Sequence, residues 1–399
     1  MESSFNKKGR LIGAILLIAG CCIGAGMLGL PVLSAKAGFI PSLALFFICW
    51  LYMAVTGILL LEINLWSSKE THIVSMASKT LGPIGKAVSW LLFLFLFYSL
   101  MVAYIAASGS LTSEFLQGYG YSFLPQEIGH FLFCLLFGLL IYLGTAAIDW
   151  FNRFLMIGLM ITYLGLVAVG LPHIEKELLQ HRDWSAATFV IPALIVSFGF
   201  HNLVPSVTTY LNRDAKKVIF AILIGSAIPL FIYLVWELLI LGLVPLQQFE
   251  GALSQGSIAT EALKQAGRAP WVTMFAELFA FFAIVTSLLS VALSFTDFLA
   301  DALQIKKTAQ GKVVLVMLVL VPPLFFALLY PNLFLVALNY AGGFGAVILF
   351  GILPVLMTWK GRYHQRLGHP QLLPGGKFAL GLIFLFALSV VGLQLVNRL

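Results

Sequence analysis

Apolar residues run through the chain in blocks of 18 or more, and polar residues fall mostly in the short intervals between them. Eleven blocks can be drawn, at 11–35, 39–66, 84–112, 128–148, 151–171, 188–211, 216–243, 271–299, 312–330, 332–357 and 377–396. A helix needs about 20 apolar residues to cross the hydrocarbon core of a bilayer, so each block reads as one crossing. Runs such as Leu91-Leu92-Phe93-Leu94-Phe95-Leu96-Phe97 lack the polar–apolar alternation of a membrane β-barrel. The pattern predicts an all-α integral membrane protein with eleven transmembrane helices.

Composition agrees. The 399 residues are 61% apolar and 10% charged, with a mean hydropathy of +1.01. Soluble domains carry roughly 45–50% apolar and 25% charged residues. Disorder and a disulfide scaffold are excluded by the same numbers. The net charge of +7 does not call for nucleic acid, because its distribution follows the membrane. With the N-terminus in the cytoplasm, seventeen of the 23 Lys and Arg lie on cytoplasmic segments and six outside. The C-terminus then lies on the periplasmic side. The first block follows Lys7, Lys8 and Arg10 but is too long for a signal peptide, so it is expected to stay in the membrane. Cys21, Cys22, Cys49 and Cys134 all fall inside blocks, where they act as small apolar residues without disulfide or metal.

Two blocks are interrupted. The first contains Ile23-Gly24-Ala25-Gly26-Met27-Leu28-Gly29-Leu30-Pro31, and the sixth Ser197-Phe198-Gly199-Phe200-His201-Asn202-Leu203-Val204-Pro205. Clustered glycines followed by proline disfavour a continuous helix. Unwound backbone at membrane depth is tolerated only when it is buried in protein or lines a cavity. Pro31 and Pro205 are 174 residues apart, and Glu62 and Glu237, one block further on, are 175 apart. Five blocks separate the copies, and an odd number inverts the second. The register predicts an inverted five-helix repeat: 1–171 as the first copy, 172–357 as the second, and 358–399 as a loop with the eleventh helix. This is an architecture of secondary transporters, which hold substrate between broken helices 1 and 6.

The residues around these breaks resemble the hydroxy and aromatic amino acid permease family of bacteria. The resemblance runs over the whole chain. It is carried by the Gly20–Pro31 phrase, Leu61-Glu62-Ile63-Asn64-Leu65, Ala103-Tyr104-Ile105, Ser197-Phe198-Gly199-Phe200-His201, Val204-Pro205-Ser206, Phe295–Asp301 and Asn339-Tyr340-Ala341-Gly342-Gly343. It implies a LeuT-like fold and an inner-membrane importer of tyrosine, tryptophan or phenylalanine, driven by proton symport. The tyrosine-specific permeases are the most similar branch, so L-tyrosine is the first expected substrate and tryptophan the alternative.

An amino acid brings a carboxylate and an ammonium, both costly to desolvate. Free amides near Gly24, Ala25 and Gly26 are expected to meet the carboxylate at a half-helix N-terminus. Carbonyls near Ile23 and Phe198 are expected to take the ammonium. Met27, Tyr104, Phe198 and Phe200 are candidate walls for the aromatic ring, with Gly199 giving backbone access. His201 titrates in the range a proton carrier needs and is assigned to both binding and coupling. Glu62 is the second coupling candidate, expected to cap the freed amides of the sixth block. Glu237 and Glu277 follow, and Asp297 and Asp301 suit a helix end. Sodium-coupled transporters of the resembling fold hold their cation with a carbonyl and two hydroxyls, a spacing matched by Ala283, Thr286 and Ser287. The proton is the expected coupling ion and sodium the second one; no organic cofactor is expected. An enzyme is disfavoured, since there is no His-Glu-x-x-His, Gly-x-Gly-Asp or Gly-x-Ser-x-Gly, and no nucleotide-binding loop.

Overall fold

The computed structural model describes residues 4–67, 71–118, 121, 125, 127–267, 269–330, 332–367 and 371–396. Among these the regular elements are all helical. In chain order they are α1 (Ser4–Cys22), α2 (Gly26–Ser34), α3 (Phe39–Leu65), α4 (Ile73–Leu81), α5 (Pro83–Gly118), α6 (Glu127–Leu143), α7 (Thr145–Gly170), α8 (Ile191–Ser197), α9 (Val204–Tyr210) and α10 (Ala215–Leu243). They continue with α11 (Leu246–Ser254), α12 (Ala259–Gln265), α13 (Pro270–Ala302), α14 (Ala309–Leu329), α15 (Leu333–Tyr340), a π-helical stretch Ala341–Ile352, α16 (Leu353–Tyr363) and α17 (Gly376–Val396).

Nine helical stretches among the described residues are long and apolar enough to cross a membrane. α1 and α2, bent by 54° at the predicted first break, make a tenth. α6 has 17 residues and is shorter. The fourth and fifth blocks divide earlier than the hydropathy pattern suggests. Gly144 adopts φ +96°, a conformation that a side chain resists, and ends α6 there. Residues 145–148 therefore open α7 instead of closing α6.

Burial divides the helices into two kinds. α7 exposes Trp150, Phe154, Ile157, Ile161 and Leu164 at three- and four-residue spacing. A continuous apolar stripe of this size is untenable in water and is at home against lipid tails. The chain is thus a multi-pass membrane protein. By contrast α2, α8 and the last two turns of α10 are wrapped by other helices. The π-helical stretch closes on them because Gly342 has no side chain where the Pro192 backbone passes. The least regular backbone therefore lies deepest in the protein, as the cost of unpaired amides in hydrocarbon requires.

Candidate substrate and coupling site

The carbonyls orphaned by the two breaks are met from one helix. Pro31 has no N–H, so the Met27 carbonyl lacks its usual partner four residues on. The indole Nε1 of Trp236 supplies the bond instead, at 2.9 Å. The Cys22 carbonyl closes α1 and the Ser197 carbonyl closes α8. The Tyr233 hydroxyl lies 2.5 Å from the first and 3.0 Å from the second. Ser34, the last residue of α2, donates its hydroxyl to Glu237. Residues 233, 236 and 237 share one face of α10, so a single helical turn serves both broken spans.

Beside the breaks is a cavity of about 190 Å³. That is below the about 300–1,000 Å³ of pockets for drug-sized molecules and suits a single amino acid. Its floor is the broken backbone at Ile23, Gly24, Gly26 and Gly199, and its aromatic walls are Phe97, Tyr104 and Phe350. Two buried polar atoms on its lining, Asn152 Oδ1 and Ser197 Oγ, have no hydrogen-bond partner. Such atoms are costly unless something fills the bond. The lining residues Cys21, Asn202, Ser290 and Ser294 are exposed. They lie on the α1, α7-start and α13-end side of the breaks, the side that carries Lys306 and Lys307. On the other side α2 packs so closely on α15 that a Cβ at Gly29 would sit 3.0 Å from Leu335 and Leu338.

The structure distributes the sequence candidates unevenly. Ile23, Gly24, Gly26, Tyr104 and Gly199 line the cavity, as do Thr286 and Ser287. Ala25, Met27, Phe198, Phe200 and His201 do not line it and are buried. The Ala25 amide, expected to be free, is taken by Ser287 Oγ at 2.9 Å. The Phe198 carbonyl, expected to be orphaned, accepts from the Phe200 amide at 3.0 Å. Met27 contributes its carbonyl rather than a side-chain wall. Ala283 is fully buried, and its carbonyl accepts from the Thr286 hydroxyl at 3.1 Å. The Phe198 ring packs on Tyr233, 5.1 Å between centroids.

His201 sits one ring behind the cavity. It is stacked between Phe200 and Phe350, with centroids 4.9 and 4.8 Å away. Thr56 Oγ1 lies 2.9 Å from its Nε2, while Nδ1 has no partner. Since Phe350 is itself a cavity wall, His201 can position substrate without touching it. His201→Ala is expected to leave membrane insertion intact and lower uptake at least about tenfold, because Phe350 loses its backing and falls away from the cavity into the space left by the imidazole. Radiolabel uptake normalised to protein in the membrane checks this; unaltered kinetics would refute it.

Glu62 departs from its expected partners. Arg362 donates to it twice, Nε to Oε1 at 2.7 Å and Nη2 to Oε2 at 2.6 Å. The Leu372 amide adds a third bond at 2.8 Å. None of these groups belongs to the sixth block, so Glu62 ties α3 to α16 and to the segment before α17. Arg362, which charge counting places on a cytoplasmic loop, has a side chain only 1% exposed. Three other charges are in surface pairs: Glu277 with Lys264 at 3.6 Å, Asp297 with Lys307 at 2.6 Å, and Arg153 with Asp149 at 2.8 Å. Asn152, Asn202, Ser197, Ser290 and Ser294 were missed by the sequence reading. Their one signal is polarity inside an apolar block.

A model of the tryptophan/tyrosine permease family matches residues 7–394. The chain belongs to that family. Among curated relatives, it is 32% identical to tyrosine-specific transport system 2 of Haemophilus influenzae, over 96% of each chain. It is 30% identical to the tryptophan-specific transport protein of the same organism, over 98% of this chain and 96% of that one. Among solved structures it resembles MhsT, determined in complex with L-phenylalanine, with a TM-score of 0.63. That match covers 95% of this chain and 98% of the other at 13% identity, and it establishes a shared fold. As a member of a permease family the protein is a transporter and not an enzyme.

Proposed function

We propose that the protein imports L-tyrosine, or another aromatic amino acid, across the bacterial inner membrane by proton symport with alternating access. The observation that carries this reading is the cavity itself. It is the size of one amino acid, lies against two broken helices, has ring walls and keeps two buried polar atoms unpartnered. The substrate carboxylate meets the amides beside Gly24 and Gly26, the Ala25 amide being occupied. The ammonium meets carbonyls at the break ends, and the side chain lies among Phe97, Tyr104 and Phe350. The relatives named for tyrosine and for tryptophan support an aromatic substrate.

The reading extends to topology. Eleven spans are obtained by counting α6 and the bent α1–α2 pair as crossings. The chain then forms an inverted repeat of 1–171 and 172–357, followed by 358–399. The N-terminus is cytoplasmic and the C-terminus periplasmic, by the distribution of Lys and Arg. The cavity opens on the basic side, so the conformation is inward-facing. Thr286, Ser287 and the Ala283 carbonyl are the atoms that a sodium ion would use if sodium replaced the proton.

Uptake into proteoliposomes tests the proposal. Labelled tyrosine is expected to accumulate under a pH gradient without sodium, and unlabelled tyrosine to compete better than tryptophan or phenylalanine. Accumulation that needs sodium and survives collapse of the pH gradient would replace the proton by sodium. Stronger competition by tryptophan would reassign the substrate. No accumulation under either gradient would overturn secondary transport.

A further inference from the structure

Glu237 is a buried carboxylate without a cation. It is 0% exposed, lies in the second half of α10 and is bonded to one group, the Ser34 hydroxyl. Its second oxygen, Oε2, has no partner. The contrast with Glu62 is sharp, because that carboxylate has two arginine bonds and an amide. A carboxylate in an apolar interior needs either a counter-charge or a proton.

Among the described residues, no cation pairs with Glu237 from the helices packed on α10. α2 contains no titratable residue. On α3, Glu62 is held by Arg362. On α7, Asp149 and Arg153 pair with each other, and the Tyr163 hydroxyl donates to the Ile232 carbonyl at 2.9 Å. On α12, Lys264 reaches Glu277. α1 brings Cys21 and Cys22 close to this part of α10 and carries Arg10 about three turns away, α9 brings Tyr210, and the short turn Leu178–Gln180, also against α10, has no titratable residue.

From this geometry we infer that Glu237 carries the transported proton and that Ser34 reports its arrival to the α2 half-helix. The inference rests on the proton-symport reading above. The ionised carboxylate accepts from the Ser34 hydroxyl. When a proton binds Glu237, the new O–H becomes the donor and Ser34 Oγ the acceptor. The Ser34 hydrogen is then free to swing to the Pro31 carbonyl, 3.3 Å away. One proton has been taken up, the α2–α10 hydrogen bond has reversed its direction, and α2 has gained one hydrogen bond of its own. Glu237 adjoins Trp236, whose indole holds the Met27 carbonyl at the foot of the same half-helix. One turn of α10 therefore holds both ends of α2, the element that must move for the closed side to open, and protonation acts on its Ser34 end.

Two substitutions test the assignment. Glu237→Gln imitates the protonated side chain and cannot release a proton. It is expected to retain tyrosine counterflow, which needs no gradient, while losing pH-driven accumulation at least about tenfold. It is also expected to abolish the proton influx that tyrosine evokes in wild-type proteoliposomes, measured with a trapped pH dye. Ser34→Ala removes the donor to the ionised oxygen and is expected to move the midpoint of the uptake–pH profile upward. If Glu237→Gln does not assemble, the Ser34→Ala profile decides, and an unmoved midpoint overturns the inference. A wild type that moves protons beside a Glu237→Gln variant that accumulates and moves them equally well would overturn it alone. A wild type that moves no proton with tyrosine would overturn the symport reading and the inference together.

Discussion

Arg362→Met is expected to destabilise the protein by about 3–5 kcal/mol, the cost of leaving one charge of a buried pair without its partner. Glu62 is 0% and Arg362 1% exposed at the side chain, so water cannot take over the lost bonds. The variant also frees the anchor between α16 and the Leu372–Leu373 segment, since Arg362 Nη2 reaches the Leu373 carbonyl at 3.3 Å. The double variant Glu62→Leu/Arg362→Met is expected to recover most of that stability, because two apolar side chains need no desolvation. Thermal unfolding of the purified variants beside wild type measures both effects. A single variant as stable as wild type would show the pair to be dispensable, and a double variant no better than the single would place the cost elsewhere.

Gly26→Leu is expected to abolish tyrosine binding, the largest functional effect among single substitutions at the site. Gly26 starts α2 on the cavity lining, where even a Cβ would sit 2.7 Å from Ser197 Oγ and 3.6 Å from the Ser197 Cα. A leucine would push α2 away from α8 and fill the space beside the break. Gly26→Ala is the graded control. Ser197 Oγ is unpartnered and can rotate away, so alanine is expected to weaken affinity about tenfold, ~1.4 kcal/mol. Scintillation proximity binding on purified protein separates the two. Wild-type affinity in the leucine variant would remove the substrate from this break.

How much of this was legible in the sequence depends on the range of the interaction. The breaks were legible because glycine and proline act within a turn of themselves, and the α1–α2 bend falls where Ile23 to Pro31 places it. Membrane class was legible because apolar length is local too. The Glu62–Arg362 pair was not, since its members are 300 residues apart and Arg362 stands among Lys360 and Arg366 in what reads as a basic loop. Tyr233 and Trp236 were not singled out in their apolar block, although a phenol and an indole in such a block each need an acceptor. That requirement is the signal that could have found them. His201 was singled out for its titration range, while its position behind Phe350 depends on how α8 meets the π-helical stretch. Glu237 was ranked below Glu62 although both are single glutamates in equivalent blocks, and only tertiary structure shows which of them has a cation.

The Tyr233 hydroxyl has one hydrogen and two carbonyls within reach, those of Cys22 and Ser197. Whichever it serves, the other is one donor short. The deficit cannot be repaired from within α10, whose indole is already committed to Met27. An arriving ammonium brings three hydrogens to this shortage, whereas an ionised carboxylate or a hydrocarbon ring brings none. Two acceptors that share one donor thus bias this end of the breaks toward a positively charged, hydrogen-rich group and against an anion or hydrocarbon of the same size.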